Sequence, residues 1–230
     1  MSLELRSRIL AELDSLILID PHTHINALAP ASTTLADILG YHYYTELAHS
    51  AGLPREQIEN SDLEPRDKVR LLIENLAAVD NTVQYGWFVE ICQTLLGFQE
   101  ERITQDNWEA LYDHSVELMA GEHWSQQVLE KSRLQAVFLT NDFDDPLEGF
   151  DTATYIPCLR TDDLVFHLAQ DKVRTRLEHA TGISVTDLSS LRAALTNRFD
   201  HFTRRGARAC AISLPPNFSP RPVSDGRAGN

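Results

Sequence analysis

The pattern of apolar and polar residues at the start of the chain predicts a helix followed by a short strand. Apolar side chains recur at helical spacing through residues 3–15, as they do in an amphipathic helix. Residues 16–19 are all apolar, and Pro21, which has no N–H to donate to a sheet, prevents a strand from extending further. Because the run is apolar throughout, we expect a strand of a parallel sheet that is buried on both faces.

Residues 25–134 have helical periodicity and no run that is typical of a strand. The apolar spacing and the capping residues predict helices over residues 33–49, 65–76, 83–98 and from residue 104 or 106 to residue 119. We therefore interpret this stretch as a helical insertion after the first strand.

Strand-like runs return in the last part of the chain. They cover residues 136–140, 155–159 and 207–214, and a helix is predicted over residues 187–205. Strands that end in polar turns and alternate with helices indicate a parallel α/β fold. In a (β/α)₈ barrel of the TIM type, the residues that follow the strands form the active site.

Only four strands can be recognised, whereas such a barrel has eight, so the predicted fold is an incomplete (β/α)₈ barrel. Its expected parts are an N-terminal helix and first strand (1–24), a helical insertion (25–134), further βα units (135–218) and a loose tail (219–230).

Two histidines follow the first predicted strand at a spacing that suits a metal. His22 and His24 are separated by one residue, and residues i and i+2 of an extended chain point to the same side. Two imidazoles that meet at one point can bind a divalent metal. The alternative is a pair of solvated turn histidines. The apolar run and the Asp20-Pro21 stop that precede the pair favour the metal.

The net charge limits which binding partners the protein can have, and the cysteine content indicates its cellular compartment. The net charge of −14 argues against nucleic acid or an anionic membrane as a partner, so a small anionic substrate would need a local basic group. Three cysteines without CxxC spacing suit a reducing compartment, with the thiols as small core residues. Residues 1–13 lack the apolar core of a secretory signal, and no run reaches the length of a membrane span. We therefore expect a cytoplasmic protein.

The order of motifs along the chain resembles the uronate (glucuronate) isomerase family of the amidohydrolase superfamily. The motifs are LIDPHTHI, GYHY, LTNDFDDPLE, YIPCLRTDD and LTNRFDHFTRRGARA, and the resemblance covers residues 5–214. It implies a distorted (β/α)₈ barrel of amidohydrolase type with one divalent metal, often zinc. It also implies a small sugar acid as substrate, because the family interconverts aldo- and keto-hexuronates such as D-glucuronate and D-fructuronate.

The resemblance assigns roles to particular residues. His22 and His24 would be metal ligands, and His42 and Tyr43 would be catalytic residues over the substrate. Arg160 would pair with the carboxylate or hydroxyls of the sugar acid, since arginine suits bidentate recognition of a carboxylate. Asp142 and Asp162, which also follow predicted strands, are the further substrate-binding candidates.

The residues by themselves leave other interpretations open. His42 and Tyr43 could be aromatic packing, and Arg160 could pair with Asp162 or Asp163.

The chain also departs from the family pattern. Cys210, Ala211 and Ile212 stand where the family usually has Ser-Asp-His, and the aspartate ligand of the last barrel strand is absent. The alternatives to an isomerase are therefore a metal-dependent hydrolase of the same superfamily and a non-catalytic half barrel. An open half barrel exposes a strand edge, so we expect the chain to self-associate.

Overall fold

The computed structural model describes residues 2–221, and residues 222–230, the greater part of the predicted tail, lie outside the described residues. The chain divides into a helical unit, Ala29–Arg133, and a sheet unit, formed by residues 2–28 and 134–221. Up to residue 133 the elements are α1 (Leu3–Ser15), β1 (Leu18–Asp20), α2 (Leu35–Leu39), α3 (His42–Ser50), α4 (Arg55–Ile58), α5 (Pro65–Leu76), α6 (Val83–Leu96), α7 (Trp108–Met119) and α8 (Trp124–Ser132). From residue 134 they are β2 (Leu134–Phe138), β3 (Tyr155–Ile156), β4 (Cys158–Arg160), α9 (Asp162–Phe166), α10 (Asp171–Thr181), α11 (Leu188–Arg204) and β5 (Ala209–Ala211).

The helical unit packs its helices around a core of its own. Leu39, Leu72 and Phe88 are among its fully buried side chains. Residues 33–49, predicted as one helix, form α2 and α3, because the chain at Tyr41 is extended between them. The Thr34 hydroxyl accepts from the Asp37 N–H, and the Asp37 carboxylate accepts from the Thr34 N–H, so a capping box defines the start of α2.

The strands of the sheet unit are all parallel, which confirms the predicted α/β class. One sheet has the order β1-β2-β3, and β4 pairs with β5 in a second. Pro157, which has no N–H, separates β3 from β4. The pairing nevertheless continues beyond β2, since the Leu139 N–H donates to Ile156 O and the Asn141 N–H donates to Cys158 O, both at 3.0 Å. Within residues 2–221 both sheets are open, so barrel closure stays a prediction.

The expectation that the first strand is buried on both faces is wrong. Ile17 is 71% exposed and Ile19 is 56% exposed. Among the described strands β1 pairs only with β2, so its second edge is free, and α1 buries none of its own side chains. An apolar run identifies a strand, but its burial depends on elements that the run itself does not specify.

The three cysteines differ in their surroundings. Cys92 and Cys158 are buried free thiols, whereas Cys210 on β5 is exposed, so the expected core position is wrong for Cys210. None of the helices in residues 2–221 combines the length and the apolar character needed to cross a membrane.

Candidate metal and substrate site

The two histidines after β1 direct their imidazoles towards one point. His22 Nε2 and His24 Nε2 are 3.2 Å apart, and both side chains are exposed. Asp20 shapes the turn between the strand and the histidines, because its carboxylate accepts from the His22 N–H at 3.1 Å. Two nitrogens bound to a tetrahedral zinc at 2.0–2.1 Å would be about 3.3 Å apart, so the pair fits two positions of such a centre.

The rest of a metal coordination shell is not present in the described part of the chain. Residues 2–221 contain no group of three or more His, Cys, Asp and Glu side chains that could hold a metal ion. A catalytic zinc site usually has three protein ligands and one open position. His22 and His24 therefore fit a metal as part of its ligand set.

Thr140 contacts the ring nitrogen of His24 that points away from His22. Its hydroxyl donates to Thr23 O at 2.8 Å and lies 3.1 Å from His24 Nδ1. The Thr23 N–H in turn donates to Phe138 O at 3.0 Å, so the segment that carries the histidines is tied to the end of β2. Partners of this kind orient metal-binding histidines.

Two clefts in the sheet unit lie at the ends of the strands. The first, of about 450 Å³, is lined by His24, Thr140, Asn141, Asp142, Asp145 and Glu148, among others. The second, of about 230 Å³, is lined by Asp142, Phe143, Arg160, Asp162, Asp163 and His167. Asp142 lines both clefts, whereas His24 and Arg160 line different ones. The structure thus brings Asp142 together with each of them separately.

Arg160 forms the ion pair that the residues alone suggested. Its Nε donates to Asp162 Oδ2 at 3.3 Å, and Asp162 also accepts from the Ser213 N–H at 3.2 Å. Burial opposes ionisation of Asp162, but the Ser213 N–H and the Arg160 guanidinium outweigh it, so the pKa of Asp162 is lowered. Nη1 and Nη2 of Arg160 have no hydrogen-bond partner within residues 2–221, which leaves them available to a ligand.

Arg176 on α10 connects the acidic loop after β2 with the start of α9. Its guanidinium donates to Asp144 through Nε at 2.8 Å, to Asp163 through Nη1 at 2.8 Å and to Asp142 through Nη2 at 3.1 Å. It also lies 4.7 Å from the centroid of the Phe143 ring. The hydrogen bond from Arg176 lowers the pKa of Asp144, and the same carboxylate raises the pKa of Arg176. These charges are thus paired with one another.

His42 and Tyr43 lie at the start of α3 in the helical unit. Their ring centroids are 4.4 Å apart, and both side chains are exposed. Tyr44, the next residue, is buried instead, and burial raises its pKa to about 12. Core packing therefore explains Tyr44, while His42 and Tyr43 remain accessible.

Comparison with known proteins identifies the family. A sequence profile described as glucuronate isomerase matches residues 11–222. The chain belongs to the glucuronate isomerase family. Among curated relatives, this family member is 27% identical over 187 residues to a uronate isomerase of Streptococcus equi subsp. zooepidemicus, covering 76% of this chain and 39% of that protein. It is 25% identical over 228 residues to the uronate isomerase of Brucella canis, covering 89% of this chain and 48% of that protein.

Solved structures of uronate isomerases share its fold. The uronate isomerase of Thermotoga maritima aligns with a TM-score of 0.80 at 19% identity, covering 92% of this chain and 50% of that one. The glucuronate isomerase of Caulobacter crescentus aligns with a TM-score of 0.76 at 18% identity, covering 90% and 48%. This family member thus spans less than half the length of the curated relatives named here.

Arg176 and Thr140 were not predicted as parts of the site. Arg176 lies on α10, whose amphipathic spacing of Val173 and Leu177 could have been recognised. The carboxylates that it binds lie 13, 32 and 34 positions away along the chain, so no local pattern reveals them. Thr140 lies 116 positions from His24. Its place as the last residue of a predicted strand, residues 136–140, was the only available signal.

Proposed function

We propose that this chain forms part of a metal-assisted isomerase that interconverts aldo- and keto-hexuronates, with D-glucuronate and D-fructuronate as the substrate pair. The observation that carries the proposal is the convergence of His22 Nε2 and His24 Nε2 at 3.2 Å, in a member of this family. The first cleft lies beside His24, and its volume of about 450 Å³ suits a small polar ligand. The names of the curated relatives support the same reaction class.

The proposed fold is a (β/α)₈ barrel to which the strands of the sheet unit contribute, with residues 25–134 as a helical insertion after the first strand. The TM-score of 0.80 to a uronate isomerase and the parallel pairing of all described strands support it. The sites at the strand ends then correspond to the active-site face of such a barrel.

His22 and His24 would hold one divalent metal, and zinc suits their nitrogen donors and their spacing. When bound, the metal would polarise the carbonyl or the neighbouring hydroxyl of the sugar. His42 and Tyr43, which are exposed, are the proposed carriers of the proton that isomerisation moves between adjacent carbons. Arg160 would bind the substrate.

Arg160 is suited to the carboxylate of a uronate. Its Nη1 and Nη2 have no partner within the described residues, and two parallel N–H donors match a carboxylate. Asp162 holds Nε of this guanidinium, and Asp142, which lines both clefts, offers an acceptor for sugar hydroxyls. The net charge of −14 makes this local cation important for an anionic substrate and disfavours nucleic acid as a partner. We propose the cytoplasm as its compartment, which the three free thiols support.

Zinc binding tests the first element of the proposal. Calorimetry should show weak binding of one zinc ion per chain, because only two ligands are present among residues 2–221. The double variant His22→Ala/His24→Ala should lose this binding. If the double variant kept the affinity and stoichiometry of the original chain, the ligand assignment would be wrong.

Conversion of D-glucuronate to D-fructuronate tests the reaction. With zinc or manganese, the chain alone should not exceed the metal-only blank, since an incomplete ligand set gives poor occupancy and geometry. Mixing it with a fragment that carries the second half of the Thermotoga maritima uronate isomerase should produce turnover, and the double histidine variant in the same mixture should not. Equal rates for the two mixtures would contradict the proposal. A panel of esters, assayed in parallel, would reveal a metal-dependent hydrolase instead.

A further inference from the structure

The Thr140 hydroxyl has two neighbours that constrain its single hydrogen. Thr23 O, at 2.8 Å, can only accept a hydrogen bond, so the hydroxyl donates to it. His24 Nδ1, at 3.1 Å from the same oxygen, must then be the donor of the second hydrogen bond. The contact therefore selects the form of neutral His24 that carries its hydrogen on Nδ1.

This tautomer leaves a lone pair on His24 Nε2, which is the atom that faces His22. Across the 3.2 Å contact between the two Nε2 atoms, His22 must therefore be the donor when no metal is bound. His22 Nδ1 has no hydrogen-bond partner within residues 2–221. The two histidines are thus unequal, since one is held in a single tautomer and the other can change.

We infer that Thr140 is a positioning residue, which presets His24 Nε2 as a metal ligand while His22 changes tautomer when the metal binds. The inference rests on the metal site of the proposed function. On binding, His22 releases its Nε2 proton to water and takes one from water at Nδ1, so both imidazoles stay neutral and no net proton is lost. A histidine ligand needs its lone pair directed at the metal, and the partner of its other nitrogen decides this.

The backbone around Thr140 makes it suitable for this role. The residues on either side of Thr140 are both held by backbone hydrogen bonds. The Leu139 N–H donates to Ile156 O and the Asn141 N–H donates to Cys158 O, each at 3.0 Å. Thr140 is half-buried, and its hydroxyl is thereby fixed relative to Thr23 and His24. A valine at this position would keep the shape and remove the hydroxyl, whereas a serine would keep the hydroxyl.

The test is two-bond ¹H–¹⁵N NMR of the histidine side chains in the full chain, at about pH 8. Spectra of His22→Ala and His24→Ala assign the two signals among the nine histidines. Without zinc we expect His24 with hydrogen on Nδ1 and His22 with hydrogen on Nε2. With zinc we expect hydrogen on Nδ1 of both.

Variants at position 140 separate positioning from general stability. Thr140→Val should give His24 a mixture of tautomers and weaken zinc binding about 10- to 100-fold, the range for loss of such a partner. Thr140→Ser should restore both properties. Thr186→Val should change neither, because Thr186 is exposed and its side chain has no hydrogen bond to any residue in the described range 2–221. His24 with hydrogen on Nε2 in the original chain, or the same spectrum and affinity in Thr140→Val, would overturn the inference.

The spectra distinguish this inference from the proposed function. The tautomer of zinc-free His24 is read without metal and without turnover. If the mixtures with the second-half fragment are active but His24 has the opposite tautomer, only the role of Thr140 is refuted. If the tautomers are as expected but these mixtures are inactive, only the proposed isomerase activity is refuted.

Discussion

Replacing Arg176 with methionine should destabilise the sheet unit, because one side chain connects three acidic positions. It contacts Asp142, Asp144 and Asp163, and only 27% of the arginine side chain is exposed. Methionine keeps most of the apolar stem and removes all of the donors. The variant therefore isolates the contribution of the guanidinium.

The geometry supports a loss of about 2 kcal/mol in the free energy of unfolding of Arg176→Met. A hydrogen bond to a charged group contributes roughly 1.5–3 kcal/mol, and removing one partner of a fully buried pair costs about 3–5 kcal/mol. The side chains of Asp144 and Asp163 are 29% and 33% exposed, so water compensates them in part and a value near the lower range applies. A loss of about 2 kcal/mol corresponds to a roughly 30-fold larger population of the open state.

The stability lost in Arg176→Met should be larger at neutral pH than at acidic pH. The hydrogen bond from Arg176 lowers the pKa of Asp144 in the folded protein. A lowered carboxyl pKa contributes stability above the unfolded value of about 3.9, and this contribution disappears as the pH falls through the folded value. The difference between the original chain and Arg176→Met should therefore be complete at pH 7 and shrink below about pH 4.

Amide hydrogen exchange is the suitable assay. The chain has three tryptophans, Trp87, Trp108 and Trp124, and all lie in the helical unit, so a probe located in the sheet unit itself is needed. Peptides that cover residues 134–160 should exchange roughly 30-fold faster in Arg176→Met at pH 7.

Arg205→Met is the matched control for this assay. This variant removes the ion pair between Arg205 and Glu148, whose two side chains are 44% and 62% exposed, respectively. The free energy of unfolding should therefore fall by less than about 1 kcal/mol. Equal effects of the two variants, or an Arg176→Met effect that is the same at pH 3.5 and pH 7, would show that the Arg176 guanidinium does not stabilise the sheet unit through these carboxylates.

Two further predictions concern the exposed isoleucines near β1 and the exposed thiol of β5. The sedimentation coefficient should rise with concentration, because Ile19 on the edge strand β1 and Ile17 just before it are 56% and 71% exposed. Ile17→Lys/Ile19→Lys should reduce the rise, and a monomer at every concentration would argue against self-association. At pH 8 a disulfide reagent should modify Cys210 first, because it is exposed whereas Cys92 and Cys158 are buried. Burial raises the pKa of all three thiols, and that of Cys92 to about 12. Cys210→Ser should remove the fast phase, and two fast thiols in the original chain would contradict the assignment.

Features that depend on neighbours along the chain could be predicted from the sequence alone. The spacing of apolar residues located α1, α5, α6 and α11. The i, i+2 spacing of two histidines after a strand was sufficient to predict that their imidazoles meet, because the direction of side chains in an extended segment is a local property.

The contacts of those features became known only from the folded chain. The apolar run of the first strand predicted burial, yet the strand is exposed, because burial depends on which other elements cover it. The partners of Arg176 lie up to 34 positions away along the chain, and Thr140 contacts His24 across 116 positions. Contacts over such separations arise from the pairing of strands and the packing of helices, and no local pattern of residues encodes them.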